Sequence, residues 1–244
     1  MLRIIPVIDI LGGVAVHAVR GIRENYQPLK SILCSSADPV EVAASLKAFG
    51  FSELYVADLD AITGGPVNSS LLKRIVDTTG LKLLVDAGVT NMERAGDVLD
   101  CGASKVIIGT ETLPNTSFVA EAIEALGTER VIVSLDLRGD KVLSGFELGK
   151  LAEPVTFLRA LEAFGVSQII VLDLSKVGSR EGTNLVVLQE VLKQIEVEVL
   201  VGGGVRDVAD LLELKNLGVS GVLIATALHS GKISPESLKQ ASLL

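Results

Sequence analysis

The glycine-rich stretch Leu200-Val201-Gly202-Gly203-Gly204-Val205-Arg206-Asp207 decides how the rest of the chain is interpreted. An apolar run ends in three glycines, and a helical pattern begins directly after them. Glycine lets the backbone turn sharply and approach a ligand closely, and the first N–H groups of the following helix lack partners within it. This combination is typical of a phosphate site, although a glycine turn that serves tight packing alone has the same sequence.

A second apolar run, Gly221-Val222-Leu223-Ile224-Ala225-Thr226, follows that helical pattern and ends in small residues. In a parallel α/β barrel, the turns after strands seven and eight are the usual phosphate site. The two runs together therefore predict an anion site that contains Gly202, Gly203, Gly204, Ala225 and Thr226.

The composition agrees with a barrel whose core is aliphatic. The chain has 244 residues, of which 48% are hydrophobic and only 3% aromatic, as expected for a parallel sheet buried on both faces. The formal net charge is −8 and no basic cluster occurs, which argues against nucleic acids and anionic membrane surfaces as partners.

The sequence also carries no recognisable targeting or metal-binding motif. No apolar run reaches the roughly 18–20 residues of a membrane span, and the apolar start is too short for a signal peptide. Cys34 and Cys101 share no motif spacing, and His17 and His229 have no partner at ligand spacing. We therefore expect a cytoplasmic protein with reduced thiols, no metal site and no cofactor.

Eight apolar, β-branched runs alternate with eight helical patterns, which predicts parallel βαβ units. We expect strands at residues 3–9, 53–58, 81–86, 104–109, 130–136, 167–173, 197–202 and 221–226. We expect helices at residues 38–50, 67–79, 91–101, 116–126, 154–164, 185–195, 207–217 and 235–241. Because no linker interrupts this alternation, residues 1–244 are predicted to form a single domain.

The chain repeats itself at about half its length. Asp58 and Asp173 lie 115 positions apart, and Gly88 and Gly204 lie 116 positions apart. A repeat of this length predicts a (β/α)₈ TIM barrel built from two (βα)₄ halves, about residues 1–127 and 128–244.

Asp9 and Asp136 match at the start of the two halves and end strands one and five, which lie opposite each other in an eight-stranded barrel. Two carboxylates that face each other across a small ligand suit general acid–base catalysis. The alternative is that each carboxylate caps the turn after its strand.

Several motifs resemble those of the histidine-biosynthesis barrels, the HisA/HisF family, and the resemblance extends over nearly the whole chain. It is closer to the isomerase branch of that family than to the cyclase branch. The motifs are Ile5-Pro6-Val7-Ile8-Asp9, Leu135-Asp136-Leu137-Arg138, Asp173-Leu174-Ser175-Lys176-Val177-Gly178-Ser179, Gly202-Gly203-Gly204-Val205 and Thr226-Ala227-Leu228.

The resemblance implies an aldose–ketose (Amadori) isomerisation of a small phosphorylated substrate without a metal ion. We expect the protein to be a monomer or small homo-oligomer. It implies that Asp9 is the general base at the sugar C2 and that Asp136 is the general acid that opens the ring. It also implies one phosphate per half, and the further contacts would come from Gly178, Ser179, Asp86, Gly88, Gly109 and Thr110.

Four positions depart from the family pattern. Asp86-Ala87-Gly88 replaces a first-half glycine triplet, Leu172 replaces a small polar residue, Val177-Gly178-Ser179 replaces Asp-Gly-Thr, and Phe146 replaces a Trp. These departures leave two alternatives to the histidine-pathway reaction: an enzyme that acts on another phosphorylated ligand, and a binding protein without isomerase activity.

The sequence does not decide whether three basic residues bind an anion. Arg20 and Arg138 lie in loops that leave strands one and five, where an anion clamp and a solvated side chain are equally reasonable. Lys176 could contact a phosphate or form a surface ion pair. Residues 21–37 form the longest stretch without a pattern, which fits either a mobile lid or disorder.

Overall fold

The computed structural model describes residues 2–145, 151–152 and 154–244, so Phe146 lies outside the described residues. These residues form a barrel of eight parallel strands with helices outside it, which confirms the predicted fold class. The strands are β1 (Arg3–Leu11), β2 (Glu53–Asp58), β3 (Lys82–Asp86), β4 (Lys105–Gly109), β5 (Val131–Arg138), β6 (Gln168–Asp173), β7 (Glu198–Gly202) and β8 (Gly221–Ile224).

The barrel closes because each strand pairs with its sequence neighbour and β8 pairs in parallel with β1, where Arg3 lies opposite Gly221. The two halves join at β4 and β5, where Ile107 lies opposite Ile132, and β5 pairs with β6, where Asp136 lies opposite Leu172. β1 and β5 are therefore four strands apart in either direction, so Asp9 and Asp136 come from opposite walls.

Eight helices follow the eight strands and cover the outside of the barrel. They are α1 (Pro39–Ala48), α2 (Ser69–Thr79), α3 (Met92–Asp100), α4 (Ser117–Leu126), α5 (Pro154–Ala163), α6 (Leu185–Gln194), α7 (Val208–Asn216) and α8 (Pro235–Gln240). Side-chain hydrogen bonds from N-cap residues fix where several of these helices begin. Asn91 accepts from the Arg94 N–H, and Asp207, at the matching position of the second half, accepts from the N–H groups of Ala209 and Asp210.

The barrel interior is filled by a packed cluster of side chains to which every strand contributes. Its eight strand members named below are at most 5% exposed, so this cluster closes the lumen and leaves the C-terminal mouth as the place for a ligand. They are Ile5, Tyr55, Leu84, Ile107, Ile132, Ile170, Leu200 and Leu223.

The structure also contains elements that the sequence patterns did not predict. β1 runs beyond Asp9 and forms a hairpin with Val14–His17, and β5 forms a hairpin with Lys141–Leu143. Two four-residue helices, Leu59–Ile62 and Thr226–His229, begin directly after β2 and just after β8. The patterns missed them because turns and short hairpins carry little hydrophobic periodicity.

The stretch at residues 21–37, which the sequence left as a lid or disorder, includes a 3₁₀ turn (Arg23–Asn25) and a short strand (Gln27–Pro28). Cys34 and Cys101 are free thiols. Among the described residues, no helix has both the length and the apolar character needed to cross a membrane.

Gly204 lies in the glycine turn after β7, and it offers a test of how tightly this turn is packed. Its φ of 88° is in the left-handed region, and an added Cβ would collide with the carbonyl oxygen of Gly182. Gly218 has nearly the same φ, 91°, and open space within 4 Å of an added Cβ. We expect Gly218→Ala to cost about 1–2 kcal/mol of unfolding free energy, and Gly204→Ala to cost about 1–3 kcal/mol more.

Urea denaturation of the two variants measures this difference directly, because both carry the same φ strain and only one carries the collision. Equal losses would show that the loop at Gly182 moves away freely and that the turn is not rigid.

Candidate active site

A cleft of about 1140 Å³, open to solvent, lies at the C-terminal mouth of the barrel. It is bounded by the strand ends and by the loops that follow them. Three carboxylates from β1, β3 and β5 line it: Asp9, Asp86 and Asp136. The two candidate catalytic residues that the sequence identified therefore lie in one cleft and come from opposite walls.

Asp136 is held rigidly from several sides. Its Oδ1 accepts a hydrogen bond from Ser134 Oγ at 2.8 Å, and its Oδ2 accepts one from the Glu111 N–H at 3.1 Å. Its own N–H donates to Thr110 Oγ1 at 2.9 Å. The side chain is buried, and burial followed by the charge of Asp86 raises its pKa to about 7.

Asp9 differs from Asp136 in its surroundings. Its carboxylate is half-buried and forms no hydrogen bond within the described part of the chain, so its oxygens are available to a ligand. Burial, and then the nearby charge of Asp86, raises its pKa to about 7 as well.

Asp86 lies between these two groups. Its Oδ1 accepts from the Gly88 N–H at 3.1 Å, and its Oδ2 accepts from the Tyr55 hydroxyl at 3.3 Å. A Cβ added to Gly109 would lie 2.9 Å from Asp136 Oδ2 and 3.7 Å from Asp86 Oδ2. The missing side chain of Gly109 thus leaves room for two carboxylates to converge, and burial raises the pKa of Asp86 to about 6.

Both tyrosines of the sequence, Tyr26 and Tyr55, line the cleft. Burial, and then the charge of Asp9, raises the pKa of Tyr26 to about 12, and burial with the charge of Asp86 raises that of Tyr55 well above its usual range. Both are therefore neutral hydroxyl groups at neutral pH. Sequence reasoning missed them, although their rarity in an aromatic-poor chain was an available signal.

The opposite side of the cleft is formed by the loops after β6, β7 and β8, and the turns that follow β7 and β8 are the second-half turns. Of the predicted contacts there, the cleft is lined by Gly178, Gly202, Gly203, Gly204, Ala225 and Thr226. Thr226 begins its four-residue helix, and His17 Nε2 lies 2.9 Å from Thr226 Oγ1.

Arg180, which the sequence analysis did not single out, lines the same side of the cleft with a left-handed φ of 56°. The cleft therefore has an arginine beside its glycine turn.

Four predicted contacts do not line the cleft: Ser179, Gly88, Gly109 and Thr110. Gly88 is covered by the short helix Leu59–Ile62, because a Cβ there would lie 2.8 Å from the Ile62 Cα. Thr110 is fully buried, and its hydroxyl accepts from the Asp136 N–H. Gly109 thus leaves room for the carboxylates and Thr110 holds one of them, and their contact with a ligand stays a prediction.

The three basic residues whose role the sequence did not decide differ in their contacts. Arg20 and Lys176 both form ion pairs with Glu181. The Arg20 pair joins the loop after β1 to the loop after β6, and the Lys176 pair lies within the loop after β6. Arg138 is exposed and lines the cleft. The described residues contain no group of three or more His, Cys, Asp or Glu side chains placed to hold a metal ion.

Similarity to known proteins extends over almost the whole chain. Residues 3–234 match a family model described as histidine biosynthesis protein. The chain is 35% identical to a Methanocaldococcus jannaschii protein named only as uncharacterized, over 97% of both chains. It is 34% identical, over 95% of this chain and 90% of the other, to the 1-(5-phosphoribosyl)-5-((5-phosphoribosylamino)methylideneamino) imidazole-4-carboxamide isomerase of Synechocystis sp.. A protein of that name from Thermus thermophilus is 31% identical over 99% of both chains.

The buried carboxylates make the stability of the fold depend on pH. Burial raises the pKa of Asp86 from its ordinary value of 3.8 to about 6, so the folded chain binds this proton more tightly than the unfolded chain. Stability is therefore fully present below the unfolded value and falls as pH rises through about 6. Asp86→Asn removes this loss and also lowers the pKa values of Asp9 and Asp136, so we expect a higher Tm than wild type at pH 8 and a smaller difference at pH 4.

Asp100→Asn is the matched control, since Asp100 is exposed at the end of α3. Its Tm difference from wild type should not change between the two pH values. A constant difference for Asp86→Asn would mean that its carboxylate is as well solvated as an exposed one.

Proposed function

The chain belongs to the histidine biosynthesis protein family, and on that premise we propose that it is an isomerase that converts a phosphorylated ribosyl aminoaldose into the corresponding aminoketose. The observation that carries this proposal is the pair of carboxylates, Asp9 and Asp136, on opposite walls of one cleft. The relatives named as imidazole-4-carboxamide isomerases support the same class of reaction.

The reaction needs one acid and one base on opposite sides of the sugar. In the proposal, Asp136 donates a proton to the ring oxygen, so that the C1–O bond breaks and an open-chain iminium forms. Asp9 removes the proton from C2, and the electron pair moves to give an enaminol. Proton transfer to C1 and loss of the C2 hydroxyl proton give the ketose, so that the net change is an isomerisation.

The pKa values of the two groups support these roles. A group whose pKa lies near the working pH can both bind and release a proton, and the pKa values of Asp9 and Asp136 are both about 7. After burial, the charge of Asp86 is the next cause that raises the pKa of each group. Hydrogen bonds aim Asp136, while the oxygens of Asp9 remain available to C2.

The phosphate is proposed to bind at the second-half turns. The N–H groups of Thr226 and Ala227 are in the first turn of a helix, where no helix carbonyl can accept them. Arg180 adds a positive charge beside them, and Gly203 brings its backbone to the cleft wall. No step of this mechanism requires a metal ion, and carboxylates alone supply its proton transfers.

We expect Asp9→Asn and Asp136→Asn each to lower kcat by about 10²–10⁴-fold. Affinity for the phosphorylated substrate should change little, because the phosphate binds elsewhere. Turnover is to be measured with the doubly phosphorylated imidazole-carboxamide substrate named for the relatives, and with an N-aryl-5-phosphoribosylamine made from ribose 5-phosphate and an arylamine.

Both variants should remain folded, which circular dichroism can verify. In Asp136→Asn, the carboxamide oxygen can still accept from the Glu111 N–H while its NH₂ donates to Ser134 Oγ. If both variants retain near wild-type turnover, the carboxylate mechanism is wrong. Wild-type turnover should also be unaffected by a chelator.

Inorganic phosphate should compete with the substrate at the second-half turns. Removing one charge-assisted contact typically costs about 1.5–3 kcal/mol, so we expect Arg180→Ala to raise the inhibition constant of phosphate about tenfold or more. Arg74→Ala, on the exposed face of α2, removes the same charge far from the cleft and should leave that constant unchanged. Equal constants for the two variants would place the phosphate outside the reach of Arg180.

A further inference from the structure

The cleft is electrically asymmetric. Arg180 and Arg138 line its second-half side together with Asp136, while Asp86 and Glu111 line its first-half side. Arg23 also lines the first-half side, but it forms an ion pair with Glu111 at 3.2 Å. An anionic group is therefore attracted more strongly to the second-half side.

The first-half turn differs from its second-half counterpart in what its N–H groups bind. The Gly88 N–H, at the position that matches Gly204, donates to Asp86 Oδ1 at 3.1 Å. The Asp86 carboxylate thus accepts the hydrogen bond that the Gly88 N–H would otherwise donate to a phosphate oxygen. Ala87 and Gly88 are both buried, so a larger anion cannot replace this carboxylate from the cleft.

Arg94 fixes this closed arrangement from behind. Its guanidinium donates to the carbonyl oxygens of Ala61 at 2.7 Å, Gly65 at 2.8 Å and Ala87 at 3.1 Å. These bonds hold the loop after β2 against the loop after β3, so that the short helix Leu59–Ile62 stays over the turn. The Arg94 guanidinium is therefore bound to carbonyl groups, and Arg94 does not line the cleft.

On the basis of the proposed function, we propose that the substrate carries one phosphate, bound at the second-half turns, and that Asp86 selects a hydrogen-bond donor, above all an ammonium group, on its other arm. The Tyr55 hydroxyl uses only one lone pair of Asp86 Oδ2, so this carboxylate can accept further bonds from the ligand. An ammonium group also relieves the repulsion among Asp9, Asp86 and Asp136, which a second phosphate would increase.

Four commercially available sugar phosphates test this selection by isothermal titration calorimetry at pH 7. Glucosamine 6-phosphate carries an amine at C2 where glucose 6-phosphate carries a hydroxyl. Fructose 1,6-bisphosphate carries a second phosphate that fructose 6-phosphate lacks. For the wild type we expect glucosamine 6-phosphate to bind about tenfold more tightly than glucose 6-phosphate, as one charge-assisted hydrogen bond typically provides. Fructose 1,6-bisphosphate should bind no more tightly than fructose 6-phosphate.

Asp86→Asn keeps the size of the side chain and removes its charge. It should abolish the preference for the amine and improve the binding of the bisphosphate relative to the monophosphate. The control Asp100→Asn should retain the wild-type preferences. The proposal is overturned if the wild type binds the bisphosphate tenfold more tightly than the monophosphate, or if Asp86→Asn keeps the amine preference.

These binding measurements are independent of turnover, so this proposal and the isomerase proposal can fail separately. Faster turnover of the doubly phosphorylated compound than of the singly phosphorylated one would overturn the selection by Asp86 and leave the isomerase intact. Absence of turnover with the amine preference present would leave the selection intact and refute the isomerase.

Discussion

The packed cluster of inward-facing side chains, to which every strand contributes, is the constraint on which the rest of the structure depends. Because this cluster fills the lumen, polar groups can face a ligand only near the C-terminal ends of the strands. Asp9, Asp86 and Asp136 all lie at that level, on strands one, three and five. The barrel thus concentrates its carboxylates at the mouth as a direct result of how its interior is packed.

Concentrating three carboxylates in this way has a cost that the surrounding groups only partly offset. Ser134, the Glu111 N–H, Tyr55 and the Gly88 N–H each donate to one of these carboxylates, yet all three pKa values remain raised. A protein that needed only a stable barrel would gain by replacing these residues with neutral ones. Ionisation that is unfavourable in the free protein is what allows the groups to exchange protons with a ligand near neutral pH.

The sequence predicts the barrel well, because the strand runs are continuous and apolar and a half-length repeat such as Gly88 and Gly204 can be recognised without structural knowledge. It also identifies Asp9 and Asp136 as candidate catalytic residues, because each ends an apolar strand run at a matching position in its half. It could not show that Gly109 makes room for two carboxylates or that Ile62 covers Gly88, because both depend on contacts between distant segments. Ser179 and Thr110 were predicted as ligand contacts from their positions in motifs, and these contacts stay predictions, although neither residue lines the cleft.

The two halves show how one substitution can change a binding site while keeping its backbone. Gly88 and Gly204 both have positive φ values, 61° and 88°, so the two turns share a left-handed backbone conformation at this position. In the first half Asp86 provides an acceptor for the Gly88 N–H from within the chain, and the turn is satisfied without any ligand. A polar group that is already satisfied gains little from an external anion, whereas the second-half turn, where glycine precludes such a carboxylate, still gains from one. The difference between the two sites therefore follows from where the acceptor comes from, and a single residue at the end of the third strand is enough to decide it.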